Sequence, residues 1–95
     1  LHMATLGGAK ALDLAKETGS LVKGKSADFI AVDLSGISTQ PVYNVASHLV
    51  YAANREHVTD VFVAGKALLR NRTLTTLDET AILARAQEWR QKIKP

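Results

Sequence analysis

Three histidines are the residues whose chemistry would be easiest to recognise, because imidazole binds divalent metals and transfers protons near neutral pH. They are His2, His48 and His57. No two of them have one residue between them or lie four positions apart, the spacings that place two imidazoles on one side of a strand or a helix. The sequence therefore favours structural or surface roles for all three, and it predicts no histidine metal site.

Three aspartates stand near the ends of predicted strands, at Asp28, Asp33 and Asp60. A carboxylate in such a place can act as a general acid or base. Acidic residues at strand ends are nevertheless more often solvated strand terminators, and no partner group with a catalytic spacing accompanies these three. We therefore expect them to end strands, with catalysis as the minor alternative.

Two glycine-containing segments could in principle bind an anion. A phosphate-binding loop needs the pattern G-x-x-x-x-G-K-[ST] after a strand, whereas Gly7 and Gly8 lie before Lys10 inside a helical pattern. Glycines in a helix favour close approach of another backbone. The basic segment 23–25, Lys-Gly-Lys, could capture an anion, but a solvated turn is the favoured interpretation. Trp89 and Tyr51 lie on helical stripes, which favours packing over ligand stacking.

Composition excludes several classes of protein. The 95 residues allow one domain at most, and the absence of cysteine excludes disulfides, thiolate metal sites and a cysteine nucleophile. No apolar run is long enough to cross a bilayer and no signal peptide is recognisable, so a cytoplasmic location without membrane contact is expected. The charge of +3 arises from 12 basic residues interspersed with nine acidic ones, which predicts no nucleic-acid surface.

Periodicity predicts alternating helices and strands, and hence the α+β class. A first helix is expected from Leu1 to about Leu14, a strand at 28–33 and a second helix at 42–53. A hairpin should follow, with strands at 58–64 and 67–70 around a turn at Gly65-Lys66. A capping box of Thr76 and Glu79 predicts a terminal helix that Pro95 ends. One face of that helix carries Ile82, Ala86, Trp89 and Ile93.

The strand at 28–33 is apolar on both faces between its terminal aspartates. A strand of this kind needs cover on both sides. Three strands and three helices cannot provide that cover, so we expect part of the structure to be missing upstream of Leu1.

Ordered segments along nearly the whole chain resemble the closing region of the amidohydrolase superfamily. They comprise residues 4–12, Gly19-Ser20-Leu21, Gly24-Lys25, Ala27-Asp28, Asp33 and the hairpin at 58–66. Residues 49–53 and Leu77-Asp78-Glu79 are similar to the aminohydrolase branch, which includes purine deaminases and triazine hydrolases. Two departures are visible: Gly7 stands where Asn is common, and Asp13 where Gly is common.

The resemblance implies a metal-dependent (β/α)₈-barrel hydrolase with a small β-sandwich that is assembled from both ends of the chain. Residues 1–18 would then be the last barrel helix, 19–74 the C-terminal share of the sandwich, and 75–95 a terminal helix. The family's metal ligands and catalytic aspartate would precede Leu1. No catalytic, cofactor-binding or metal-binding residue is therefore expected here, and a divalent metal, zinc by preference, would be bound elsewhere in the parent.

The parent would be a hydrolytic deaminase that releases ammonia from a purine-like heterocycle, and this chain would be inert by itself. Its expected partner is the N-terminal remainder of the same polypeptide, with a homo-oligomer also compatible and a small-molecule substrate only in the parent. The expected sandwich core comprises Phe29, Ile30, Val32, Val61, Val63 and Leu68. The alternative is a stand-alone interaction or oligomerisation domain with an exposed sheet face.

Overall fold

Residues 1–94 are described by a computed structural model, which has three α-helices and a four-stranded antiparallel sheet. The helices are α1 (Leu6–Ala11), α2 (Val45–Tyr51) and α3 (Glu79–Ile93). The strands are β1 (Phe29–Val32), β2 (Val58–Val63), β3 (Lys66–Arg70) and β4 (Thr73–Leu74). Short 3₁₀ turns lie at His2–Ala4, Ile37–Thr39 and Arg55–His57. The α+β class is confirmed.

The sheet follows chain order, β1-β2-β3-β4, so that β1 forms one edge. Phe29 lies opposite Phe62 in the β1–β2 pair, and their rings stack with centroids 4.6 Å apart. The predicted hairpin is present, but its turn is Ala64-Gly65 rather than Gly65-Lys66, because Lys66 already pairs with Val63. Both turn residues have positive φ, 51° and 76°, and glycine suits the second position of such a turn.

A fourth strand was not expected from the sequence, which predicted three. Asn71 (φ 48°) and Arg72 (φ 65°) form a second two-residue turn and return the chain to β3, where Leu74 pairs with Leu69. The sequence signal is weak because the turn contains no glycine and the strand is only two residues long. The Asp60 carboxylate accepts a 2.6 Å hydrogen bond from the Asn71 N–H and thereby supports this turn.

The first predicted helix is divided into two. Thr5, with φ −119° and ψ −105°, separates the 3₁₀ turn His2–Ala4 from α1. A Cβ added to Gly8 would lie 2.7 Å from the Met3 carbonyl oxygen, so the predicted close backbone approach at this glycine is confirmed. The approaching backbone belongs to the preceding turn of the same chain.

Side-chain caps fix the starts of the other helices. Asn44 caps α2 by accepting a hydrogen bond from the Ser47 N–H at 3.0 Å, so α2 is shorter than the predicted range 42–53. The predicted capping box of α3 is wrong. Asp78, directly before the helix, is the cap and accepts a hydrogen bond from the Ala81 N–H at 3.1 Å. The predicted end of the helix at Pro95 lies outside the described residues.

Little of the described chain is buried. Only Ala9 and Thr39 are buried among residues 1–94, and Phe29 and Ile30 of the expected core are 39% and 55% exposed. The accessible surface is 7833 Å², whereas a compact monomer of 10.2 kDa exposes about 5,300 Å². Between residues 1 and 94, no helix combines the length and apolarity needed to span a membrane. The described residues therefore leave the side chains of the expected core only partly covered.

We predict that Gly19→Ala destabilises the fold by about 1–3 kcal/mol, because the residue has φ +97° and an added Cβ would lie 2.8 Å from that of Ala9. Gly36→Ala is the matched control, since Gly36 has φ −70° and no neighbouring atom within 4 Å of an added Cβ. Urea unfolding of the expected parent protein that carries each variant, followed by circular dichroism, measures both. Equal stabilities for the two variants would contradict the predicted strain at Gly19.

Candidate functional site

The three histidines lie in different local settings. His2 is in the first 3₁₀ turn, while the Nε2 atom of His48 in α2 lies 2.6 Å from the Thr39 carbonyl oxygen. A carbonyl only accepts hydrogen bonds, so the His48 Nε2–H donates this one. Within residues 1–94, no group of three or more histidine, aspartate or glutamate side chains is arranged to hold a metal ion. The described residues therefore do not fit a catalytic zinc.

His57 and Ser38 form the arrangement closest to a catalytic pair. The His57 Nε2 atom lies 3.2 Å from the Ser38 hydroxyl oxygen, a distance at which an imidazole can activate a serine nucleophile. The Asn54 backbone N–H, however, donates to the His57 Nδ1 atom at 3.0 Å. A neutral His57 therefore carries its proton on Nε2 and donates to Ser38. The Nε2 atom of this neutral form has no free lone pair, so it cannot accept the serine proton.

The orienting group of a catalytic triad is also missing from this pair. In a triad, a carboxylate accepts the Nδ1–H and stabilises the imidazolium that forms. Here the Nδ1 atom instead accepts the backbone N–H of Asn54, the residue that caps the turn Arg55–His57. The histidine thus completes a capping box. Its geometry supports a structural role in the loop before β2.

A shallow polar depression of about 290 Å³ surrounds this pair. It is lined by Asp33, Gly36, Ser38, Glu56, His57, Thr59 and Arg72. The Asp33 carboxylate already accepts hydrogen bonds from the hydroxyl and the backbone N–H of Ser35, and these bonds, with that from the hydroxyl the larger cause, lower its pKa below the ordinary value. The depression therefore presents both signs of charge and no convergent set of ligands.

The other two aspartates also support turns. Asp28 accepts hydrogen bonds from the Ala64 N–H at 2.7 Å, the Thr18 hydroxyl at 2.9 Å and the Ser26 hydroxyl at 3.0 Å. These bonds, with that from Ala64 the largest cause, lower the pKa of Asp28 below its ordinary value. Asp28 thus ties the segment before β1 to the hairpin turn, and Asp60 supports the β3–β4 turn.

The basic turn at 23–25 has an internal structural use. Gly24 adopts φ +93°, and the Lys25 N–H donates to the Val22 carbonyl at 3.1 Å. The Lys25 ammonium donates to the Ser20 hydroxyl at 2.8 Å. The geometry of residues 23–25 therefore agrees with the turn predicted from the sequence.

Two apolar grooves adjoin the sheet. One, of about 600 Å³, lies between β1 and α2 and is lined in part by Val32, Val45 and Leu49. The other, of about 550 Å³, follows Phe29, Val61 and Val63. Leu1, Thr5 and Ile30 line both grooves. The apolar residues on both faces of the segment 28–33 indicated these grooves in the sequence. Exposed apolar surfaces of this kind typically pack against other protein.

Comparison with known proteins gives consistent matches. The sequence profile of the amidohydrolase family matches residues 1–68. The chain is 47% identical over 93 residues to the 5-methylthioadenosine/S-adenosylhomocysteine deaminase of Teredinibacter turnerae, covering 98% of the chain and 21% of that protein. The corresponding deaminase of Saccharophagus degradans is 46% identical over 94 residues, with 99% and 21% covered.

Solved structures agree with these sequence matches. An adenosine deaminase from Xanthomonas campestris with bound zinc has a TM-score of 0.85 and 48% identity, over 98% of this chain and 21% of that one. Atrazine chlorohydrolase TrzN from Arthrobacter aurescens, complexed with zinc, has a TM-score of 0.78 and 28% identity, over 92% and 19%. The chain thus spans about a fifth of the length of the relatives that it matches.

The lowered pKa of Asp28 predicts acid sensitivity. A carboxylate whose pKa is lower in the folded than in the unfolded state stabilises the fold above the unfolded value, near 3.9, and this contribution is lost as the pH falls through the folded value. We expect Asp28→Asn to reduce stability at pH 7 and to flatten the loss of stability below about pH 4.

Urea unfolding of the expected parent protein at a series of pH values measures this effect. Glu88→Gln is the control, because it removes one exposed carboxylate from α3 and not from the hairpin turn. An Asp28→Asn variant with the same pH profile as the parent sequence would show that the hydrogen bonds to Asp28 do not stabilise the fold.

Proposed function

The chain belongs to the amidohydrolase family, and from this membership we propose that it is the C-terminal structural segment of a metal-dependent hydrolytic deaminase. The observation that carries the proposal is the match of nearly the whole chain, in sequence and in fold, to proteins named as deaminases. The chain supplies scaffold to that enzyme and is inert alone.

The names of the relatives indicate the substrate class. 5-Methylthioadenosine, S-adenosylhomocysteine and adenosine share an adenine ring with an exocyclic amine. The proposed reaction is hydrolysis at the carbon that bears this amine: a C–O bond to water forms, the C–N bond breaks, and the amino nitrogen leaves as ammonia. A zinc ion bound to the enzyme would supply the activated water. In this proposal its ligands lie in the larger protein outside this chain, and within residues 1–94 no group of three or more histidine, aspartate or glutamate side chains is arranged to hold a metal ion.

The scaffold role agrees with the way in which the apolar surface is distributed. β1 is an edge strand with apolar side chains on both faces, and both apolar grooves adjoin it. In the proposed assignment, residues 19–74 complete a β-sandwich with strands from another part of the polypeptide. In the same assignment, residues 1–18, which contain α1, correspond to the last helix of a (β/α)₈ barrel, and α3 is the terminal helix. Burial of the exposed side chains of β1 and β2 would then stabilise the joined protein.

A stand-alone interaction domain is the second candidate, because the same exposed sheet could bind a partner or a second copy. The two candidates differ in the behaviour of the isolated chain. A segment of a larger enzyme should aggregate or unfold without cooperativity, whereas an independent domain should be monomeric with a sharp thermal transition. Size-exclusion chromatography with thermal melting distinguishes them.

A hybrid enzyme tests the proposed function. We define it as the Teredinibacter turnerae deaminase in which the matched segment of 93 residues is replaced by this chain. We expect the hybrid to deaminate 5-methylthioadenosine, measured by the ultraviolet change of the adenine ring, and the isolated chain to show no activity. A folded hybrid without activity would contradict the proposal. The unmodified deaminase and the deaminase truncated before the segment are the controls.

Ser38→Ala in the hybrid tests whether the His57–Ser38 pair takes part in the chemistry. We expect the deamination rate to stay within about twofold of the unmodified hybrid, because His57 donates to Ser38 and does not activate it. A loss of about 100-fold or more with unchanged melting would show that Ser38 is catalytic.

A further inference from the structure

The terminal helix α3 has no buried residue in the described part of the chain. Its 15 residues, Glu79–Ile93, are all exposed, including Trp89 at 55% and Ile93 at 74%. An isolated helix of this length is marginal in water even with favourable residues. The helix therefore needs tertiary packing to be stable.

Four apolar side chains of α3 form one narrow stripe, whereas Leu83 lies about 90° from the centre of that stripe. Ile82, Ala86, Trp89 and Ile93 recur at steps of four, three and four, so they lie within about 60° of one another around the helix axis. A shallow groove of about 630 Å³ runs along the C-terminal half of this stripe. Small Ala86 near its centre permits close approach of another surface. This geometry suits one elongated apolar partner.

Cationic residues border the stripe on both sides. Arg85 and Lys92 lie about 70° and 90° from its centre on one side, and Arg90 lies about 70° away on the other. Glu88 lies about 130° away, whereas Glu79, at the first helical position, lies about 50° from the centre on the same side as Arg90. The rim is therefore positive along the part of the stripe from Arg85 to Ile93, and this part would attract a surface that is rimmed by carboxylates.

The same charges disfavour a second copy of α3 as the occupant. Residues that flank an apolar seam meet across a helix pair and determine which partners are accepted. An antiparallel pair would bring Arg85 near the Lys92 of the other copy, and a parallel pair would bring Arg85 near its Arg90. Either arrangement places like charges together.

The ring of Trp89 is already positioned as a binding surface. The Lys92 ammonium lies 5.1 Å from the centre of the indole ring, one helical turn away, which is a cation–π geometry. This contact holds the ring against the helix and leaves about half of the side chain open to solvent. A partner can cover the ring while a carboxylate on that partner meets Lys92.

We propose that α3 docks through this stripe on an apolar strip bordered by acidic side chains, located in the remaining part of the same polypeptide. The inference rests on the proposed function, because the matched relatives contain about four fifths of their length outside the segment that this chain covers. Docking would make Trp89 the central anchor of the interface and Arg85, Arg90 and Lys92 its charged rim.

Trypsin cleavage of the hybrid enzyme tests the docking, because α3 contains Arg85 and Arg90 as cleavage sites. A synthetic peptide of residues 79–94 gives the cleavage rate of an undocked helix. We expect cleavage after Arg90 in the hybrid, followed by mass spectrometry, to be at least about tenfold slower than in the peptide. Cleavage at the rate of the peptide would overturn the proposal.

Two pairs of variants test the chemistry of the docked surface. Trp89→Ala should accelerate cleavage after Arg90, whereas Gln91→Ala, on the opposite side of the helix, should not. Arg85→Glu should accelerate it as well, and Thr80→Glu, which adds the same charge away from the stripe, should not. Equal effects within either pair would contradict docking through an apolar stripe with a positive rim.

Two further outcomes separate the inference from its premises. Slow cleavage that depends on protein concentration and accompanies an oligomer in size-exclusion chromatography would identify a second copy as the occupant and overturn the proposal. Deamination is measured on the same samples. An active hybrid with rapid cleavage overturns the docking alone, whereas an inactive hybrid with slow cleavage contradicts the proposed function and supports the docking.

Discussion

The pairing of β1 with β2 is the interaction on which the rest of the described structure depends. Phe29 stacks on Phe62 across this pair, and Ile30 lies opposite Val61 on the other face. Both faces of the two strands therefore carry apolar side chains. Removal of apolar surface from water stabilises a protein by about 25 cal/mol per square ångström. Burial of the exposed apolar side chains of β1 and β2 is therefore strongly favourable.

Polar interactions around this pair stabilise the turns next to the strands. The carboxylates of Asp28 and Asp60 each accept a backbone N–H from a turn that joins neighbouring strands. Asp33 ends β1 through its bonds to Ser35, and His57 completes a cap just before β2. The side chains that the sequence offered as candidate acids, bases and ligands thus stabilise loops through hydrogen bonds. They leave the strands in register and present no convergent site.

Membership of the amidohydrolase family and a length of about a fifth of the matched relatives place this arrangement in context. In the proposed scaffold role, the chain needs no reactive groups, but it must present surfaces that complement the rest of the protein. The exposed sheet and the positively rimmed stripe of α3 are two separate surfaces of this kind. The first is apolar on both faces, and the second combines an apolar centre with charge, so they would recognise different parts of a partner.

The sequence by itself determined the class, the central strands and the three helices, because these depend on local periodicity and on side chains that cap within a few residues. The apolar run at 28–33 also indicated that cover was missing.

Features set by competition between neighbouring segments were decided only in three dimensions. The hairpin turn shifted by one residue because Lys66 pairs with Val63, and β4 formed because two non-glycine residues adopt positive φ. Asp78 displaced Thr76 as the cap of α3 because it directly precedes the first helical residue. Hydrogen bonds also decided the roles of Asp28 and His57, because a donor or acceptor is assigned by its partner in space and not by its position in the chain.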